Sequence, residues 1–265
     1  MKLAKAGITT SRLAIGTSRL HYVNQHERHR LLAAAADFGI VHFDTAPAYG
    51  DGLAETELGR FLHSRRDGFV VATKYGIPAA PIMEQFPSVG APLRLLRAFA
   101  RRLGLCQHQL PPLTAAGLRT SVERSLRRLK TDWIDILFLH EPSLQRLSQP
   151  NDILEQFSKL KELGLIRAFG LAGAWRGIDT LVTAEPELAQ VVQTAEVDWP
   201  ETYLPDVTYG AVSGAVQSYF GSGIGAEIAS ERLRSALTRR PNGVVIVSTT
   251  RIGHLSDLAQ AGTGI

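Results

Sequence analysis

The chain has 265 residues, 45% of them hydrophobic and 20% charged, a balance that is ordinary for a soluble globular enzyme. Its net charge of +4 is spread among 25 acids, so composition makes no case for a nucleic-acid partner. The single cysteine, Cys106, excludes an internal disulfide framework and fits a reducing compartment. No run of about 18 uncharged apolar residues occurs, and the opening MKLAKAGITT lacks the apolar stretch of a secretory signal. The expectation is a cytoplasmic protein with no membrane partner.

In chain order, short β-branched apolar runs alternate with amphipathic stretches. LAIG (13–16) reads as a first strand, QHERHRLLAAAADFG as a helix and GIVHF (39–43) as a second strand. LAETELGRFLHS follows as a helix and FVVAT (69–73) as a third strand. TAAGLRTSVERSLRRL and NDILEQFSKLKELG are helices on either side of a fourth strand, WIDILFL (133–139). IRAFGL (166–171), AQVVQT (189–194), DVTYG (206–210) and VVIVS (244–248) complete a set of eight, although the sixth helix is poorly marked. Eight strands with intervening helices predict an α/β fold, a single-domain (β/α)8 TIM barrel over 1–265. Residues 77–112 break the rhythm, because barrel loops are usually a few residues long. This insertion between strand 3 and helix 3 carries Arg94, Arg97, Arg101 and Arg102 in APLRLLRAFARRLG, a stretch without an acid. It reads as a solvated basic helix, an active-site cover or a patch for an acidic partner, and it is expected to border the site mouth.

On a parallel barrel the site lies where strands end and βα-loops begin. Asp44 ends the second strand, Lys74 the third and His140 the fourth, with Tyr49 on the loop after Asp44. Alone, each is more often a cap, an ion-pair partner or a structural residue; the four together at one mouth suggest chemistry. A tyrosine phenol titrates near ~10 when unperturbed. A lysine cation beside it favours phenolate and is expected to lower its pKa towards the working range. Asp44 would keep that lysine charged and fixed, and a neutral imidazole can orient a carbonyl oxygen. Such a group could protonate a carbonyl oxygen as hydride reaches its carbon.

FDTAPAYGDGLAETELGRFL, followed in order by VVATK, DWIDILFLHEP and LIRAFGL, resembles the aldo-keto reductase family, in its bacterial aldo/keto reductase or sugar dehydrogenase branch. The similarity runs from about Leu13 to Leu258. It implies a (β/α)8 barrel, a nicotinamide cofactor bound extended without a Rossmann domain, and a catalytic tetrad of Asp44, Tyr49, Lys74 and His140. It also implies cofactor contacts: Gly16 and Thr17 at the first turn, Gln193 on the carboxamide and Tyr209 stacked on the ring. Ser248, Thr249, Arg251 and His254 fall where the family binds phosphate. Ala172 and Gly173 stand in place of a Ser-Asn pair, Ser248 in place of a Lys, and Leu258 in place of an Asn. Losing those contacts implies a cofactor affinity weaker by about ten- to hundredfold. With Arg251 as the one permanent cation in this segment, a modest preference for NADP is expected, with NAD possible.

The expected function is NAD(P)H-dependent interconversion of carbonyl and alcohol groups in small aldehydes, ketones or sugars, with Tyr49 as general acid/base. The altered carboxamide positions and the basic insertion sustain an alternative, a nicotinamide-binding regulatory or interaction protein with negligible turnover. GSGIGA (221–226) matches a dinucleotide fingerprint but follows no clear strand, and reads as a flexible loop near the seventh barrel helix. No Cys/His cluster points to a transition metal. Tyr22, Trp199 and Tyr203 are candidate pocket walls. Substrate identity, reaction direction and oligomeric state have no marker in the sequence.

Overall fold

A computed structural model describes residues 1–79, 110–147, 149–197, 199–212 and 223–263. Eight parallel strands form the barrel: β1 (Leu13–Gly16), β2 (His42–Asp44), β3 (Val70–Tyr75), β4 (Ile134–His140), β5 (Ile166–Ala172), β6 (Val191–Ala195), β7 (Val207–Tyr209) and β8 (Val244–Val247). Each pairs with its neighbour in chain order, and β8 closes the ring on β1 with Val245 opposite Leu13. All eight are expected strands, their ends displaced by a few residues at most.

A strand sends successive side chains to opposite faces, and the barrel obeys that period throughout. Leu13, Ile15, Phe43, Val71, Leu137, Phe169, Val192 and Val245 point outward into the main core beneath the helices. Ala14, Val70, Ala72, Ile136, Phe138, Ala168, Val191, Val207 and Ile246 point inward and fill the lumen. Leu3 and Ile8 belong to that inner cluster. They come from an antiparallel hairpin, Lys2–Leu3 with Ile8–Thr9, which packs on the lumen's apolar filling.

Among the described residues the α-helices are α1 (Gln25–Asp37), α2 (Leu53–Leu62), α3 (Ala115–Leu129), α4 (Pro150–Glu162), α5 (Trp175–Ala184), α6 (Gly223–Arg239) and α7 (Ile252–Thr263). Asn24 caps α1 by accepting from the Glu27 amide at 3.0 Å, and Thr114 caps α3 by accepting from Gly117 at 3.1 Å. The poorly marked sixth helix is missing: among the described residues, the stretch between β6 and β7 contains no helix. A polar cluster occupies that flank instead. Buried Glu196 pairs with Arg239 at 2.6 Å and Arg240 at 2.8 Å, and Thr208 hydrogen-bonds to both Glu196 and Arg240.

One expectation about a segment changes here, and another falls outside the described residues. From Gly223 onward, GSGIGA is the first turn of α6 rather than a loop, since buried Leu233, Ala236 and Leu237 recur at helical spacing further along. Most of the 77–112 insertion, residues 80–109, lies outside the described residues, and with it the expected border of the site mouth.

Candidate active site

The inward-facing parity of each strand carries its functional side chain into the lumen. Asp44 is in phase with His42, Lys74 with Ala72, His140 with Phe138, Gln193 with Val191 and Tyr209 with Val207. At the C-terminal end of the barrel these residues line a cavity of about 370 Å³ together with Gly16, Ser18, Arg19, Tyr49, Glu141, Ala172, Gly173 and Ser248. The four polar groups expected from strand ends and the first long loop are therefore in one place.

Lys74 and Asp44 form the floor. Both are buried, and the ammonium donates to the two carboxylate oxygens at 2.8 and 2.7 Å and to the Thr45 carbonyl at 2.9 Å. Those three acceptors match the three donors of a lysine. Gln193 Nε2 donates to Asp44 Oδ1 at 3.1 Å and so joins β6 to the pair. Burial works against the lysine's charge, but Asp44 and then Tyr49 outweigh it and raise its pKa. Lys74 is a fixed cation.

Tyr49 is placed by the turn that follows it. Gly50, Asp51 and Gly52 all have positive φ, at 60°, 54° and 89°, and swing the chain into α2. The phenol ring then lies with its centroid 4.9 Å from Lys74 Nζ and 6.3 Å from the His140 ring, edge-on to it. Burial raises the phenol pKa above its ordinary value; the Lys74 charge lowers it, but by less. The expected downward tuning is thus corrected in its net sign. Lys74 opposes the shift without reversing it, because desolvation of a phenolate costs more than one cation returns.

His140 is held neutral, its pKa pushed down to about 3 by burial and then by the charges of Lys74 and Arg146. Its Nδ1 is buried without a hydrogen-bond partner among the described residues. Arg146, which sequence reasoning missed, ties the surrounding backbone together. Its guanidinium donates to the carbonyls of His140 at 3.0 Å and Pro111 at 3.1 Å, and also to those of Glu141 and Gly76. The ends of β3 and β4 and the chain entering α3 are thereby held by one side chain. An arginine in an irregular loop has no periodic signature, so nothing local announces this role. Glu141 was missed as well, although it follows His140 directly.

The expected cofactor residues divide into two groups. Gly16, Gln193, Tyr209 and Ser248 line the cavity. Gly16 has to be glycine, since a Cβ there would run into Ser248 Oγ and Ile246 Cγ2. Thr17, by contrast, is fully buried and turned away, with its amide and hydroxyl both spent on the Asp44 carbonyl at 2.9 and 3.0 Å. It positions β2 and does not line the cavity. Thr249, Arg251 and His254 stand beyond the lining where α7 begins, and the Thr249 hydroxyl accepts from the Arg251 amide at 3.1 Å. Arg251 is exposed. Of the proposed aromatic walls, Tyr22 is 74% exposed, Tyr203 packs on Trp175 at 4.5 Å and Trp199 lies 5.8 Å from the Arg239 guanidinium. None of the three lines the cavity.

These features suit a nicotinamide dinucleotide. A glycine-floored recess at Gly16, an aromatic face at Tyr209 and a buried, unpartnered Gln193 Oε1 converge beside Tyr49. A helix start with an arginine lies next to them. Among the described residues no group of three or more His, Cys, Asp or Glu side chains could hold a metal ion, and no helix is long and apolar enough to cross a membrane.

The aldo/keto reductase family profile matches residues 12–196, well over half of the chain. The chain belongs to the aldo/keto reductase family. This membership places it among the NAD(P)H-dependent oxidoreductases. It is 29% identical to a D-threo-aldose 1-dehydrogenase from a Pseudomonas species over 247 residues, which is 86% of this chain and 71% of the relative. A pyridoxal 4-dehydrogenase from Microbacterium luteolum is 25% identical, covering 84% of this chain and 70% of its own. Against the aldo-keto reductase YhdN of Bacillus subtilis the chain spans only about half of the relative's length, 52%. A crystal structure of an aldo-keto reductase from Klebsiella pneumoniae in complex with NADPH superposes with a TM-score of 0.68 at 21% identity, covering 97% of this chain and 87% of the other. That likeness establishes the fold, which agrees with the closed eight-stranded barrel.

Proposed function

We propose that the protein is an NADP-dependent carbonyl reductase, reversible as an alcohol or sugar dehydrogenase, with Tyr49 as its general acid and base. The observation that carries this reading is one cavity in which a buried Asp44–Lys74 pair lies beneath a phenol and beside a neutral imidazole. When bound, a reduced nicotinamide supplies hydride to the carbonyl carbon; Gly16, Gln193, Tyr209 and Ser248 are the residues that would hold it.

The chain's own part is proton management. Burial keeps Tyr49 protonated at neutral pH, as an acid catalyst must be. It releases that proton only as negative charge grows on the carbonyl oxygen, and the Lys74 cation then stabilises the phenolate left behind. Asp44 keeps Lys74 charged and immobile. His140, neutral over the whole physiological range, can donate one N–H to the carbonyl oxygen and fix its direction. In the oxidative direction the ionised Tyr49 takes the proton from the alcohol.

The named activities of the relatives, on an aldose and on pyridoxal, favour small hydroxylated or aromatic aldehydes as substrates. The test is Tyr49→Phe. Turnover of NADPH with an accepted aldehyde is expected to fall by about 100- to 10,000-fold while NADPH affinity, read by fluorescence titration, moves less than about threefold. A folded variant that keeps a near wild-type rate overturns the assignment.

A further inference from the structure

Glu141 is the acidic group in the cavity that neither the proton path nor the family resemblance uses. Its φ of 50° lies in the left-handed region, which is costly for a residue with a Cβ. Arg146 grips its carbonyl, and its own amide donates to the Ala172 carbonyl at 2.7 Å. The side chain lies across the end of β5. A Cβ built on Gly173 would come within 3.0 Å of Glu141 Oε2, and the carboxylate accepts the Ala174 backbone N–H. The bare glycine is what leaves it room.

The neighbouring wall is short of donors. Gln193, 2% exposed, commits its Nε2 to Asp44 and leaves Oε1 buried at the cavity without a partner among the described residues. Between Glu141 and Gln193, Ala172 and Gly173 contribute no polar side-chain atom. One N–H does not saturate a carboxylate, which has about four lone-pair sites. Glu141 at the end of β4 and Gln193 on β6 thus bring two acceptors to the lining of one cavity, which suits a ligand group with two donors.

We propose that Glu141 is a specificity-determining residue that pairs with Gln193 to accept the two N–H bonds of a primary amide, the carboxamide of the nicotinamide. The proposal rests on the reading of this cavity as the cofactor site. The resemblance gives only Gln193 a part in that contact; Glu141 takes up the recognition that Ala172 and Gly173 do not provide. The competing role for Glu141 is structural, since its carboxylate at Ala174 also caps α5, and the experiment has to separate the two.

The probes are NADP and its 3-acetylpyridine analogue, in which a methyl ketone replaces the carboxamide and removes both N–H donors while keeping the ring's charge. Wild-type protein is expected to bind NADP more tightly than the analogue. In Glu141→Ala, NADP affinity is expected to fall about tenfold or more and analogue affinity less than about threefold, as for loss of a charged acceptor. Equal loss of both ligands would mean that Glu141 only shapes the site, and loss of neither would mean that it does not touch the ligand; either overturns the proposal. Glu141→Gln keeps an oxygen for the Ala174 N–H, so it decides the question by the same comparison, with a smaller selective loss, if the alanine variant does not fold. A wild-type protein that binds neither dinucleotide refutes the cofactor reading itself, a separate result.

Discussion

The two walls of the cavity are built differently. On the β2–β4 side, the three donors of the Lys74 ammonium are met by Asp44 and the Thr45 carbonyl, and Tyr49 and His140 are fixed against that pair by a turn and by packing. On the β5–β8 side, the lining is Ala172, Gly173, a half-satisfied Gln193, Tyr209 and Ser248. The charge pair of the first wall is matched within the wall, with His140 Nδ1 left over among the described residues, while the second wall leaves Gln193 Oε1 unmatched. Preorganised charge is worth most where a transition state needs it. A binding wall can spare contacts at the cost of affinity, so under the proposed function Ala172 and Gly173 weaken cofactor binding and leave the chemistry standing.

The largest effect that separates the walls should come from Lys74→Met. With the cation gone, the influence that most opposes burial at Tyr49 is lost and the phenol pKa rises further. Turnover at neutral pH should drop by roughly 100- to 1,000-fold, and residual alcohol oxidation should climb as pH rises, because Tyr49 then ionises unaided. Since Asp44 would be left as an unpaired buried charge, the variant should also melt at lower temperature. Asp44→Asn with Lys74→Met removes that charge and isolates the catalytic loss. His140, with a pKa of about 3, adds no limb to the profile near neutrality. An unchanged pH profile in folded protein would remove Lys74 from the mechanism.

A smaller effect is expected on the second wall. Arg251 is exposed at the start of α7, and we propose that it meets a 2′-phosphate, for which a guanidinium is well suited. The protein should prefer NADPH to NADH by about ten- to hundredfold, and Arg251→Ala should erase that preference with NADH kinetics nearly unchanged. A wild type that prefers NADH, or equal loss of both cofactors, would move the phosphate elsewhere.

Much of this was legible in the sequence because strands encode their faces locally. A period of two is visible in LAIG or DILFLH, and a polar residue in phase with the inward set at a strand's end has to look into the lumen. Asp44, Lys74 and His140 were found because they stand at strand ends, where a parallel barrel carries its site, and the period of two explains why they look into the lumen. Residues whose role depends on distant partners were not legible. Arg146 bonds to carbonyls 35 and 70 residues away, and the Glu141 side chain depends on a left-handed backbone and on a missing Cβ at Gly173, just past the end of β5. The sign of the Tyr49 shift depends on how much protein surrounds the phenol, a quantity no local pattern contains. Thr17 shows the same limit in reverse. It stands next to the cavity in sequence, but hydrogen bonding to β2 turns it away.

The claim that the charge-paired wall supports turnover although the other wall is sparse in polar side chains can be tested with the unmodified protein. NADPH absorbance is followed after mixing with a panel of small aldehydes that includes aldoses and pyridoxal. Aldehyde-dependent consumption of NADPH, saturating in both partners and with a KM for NADPH above the range of enzymes with a full carboxamide site, is the predicted result. Tight NADPH binding with no turnover on any member of the panel, in either direction, would contradict it and leave a nicotinamide-binding regulatory protein as the better reading.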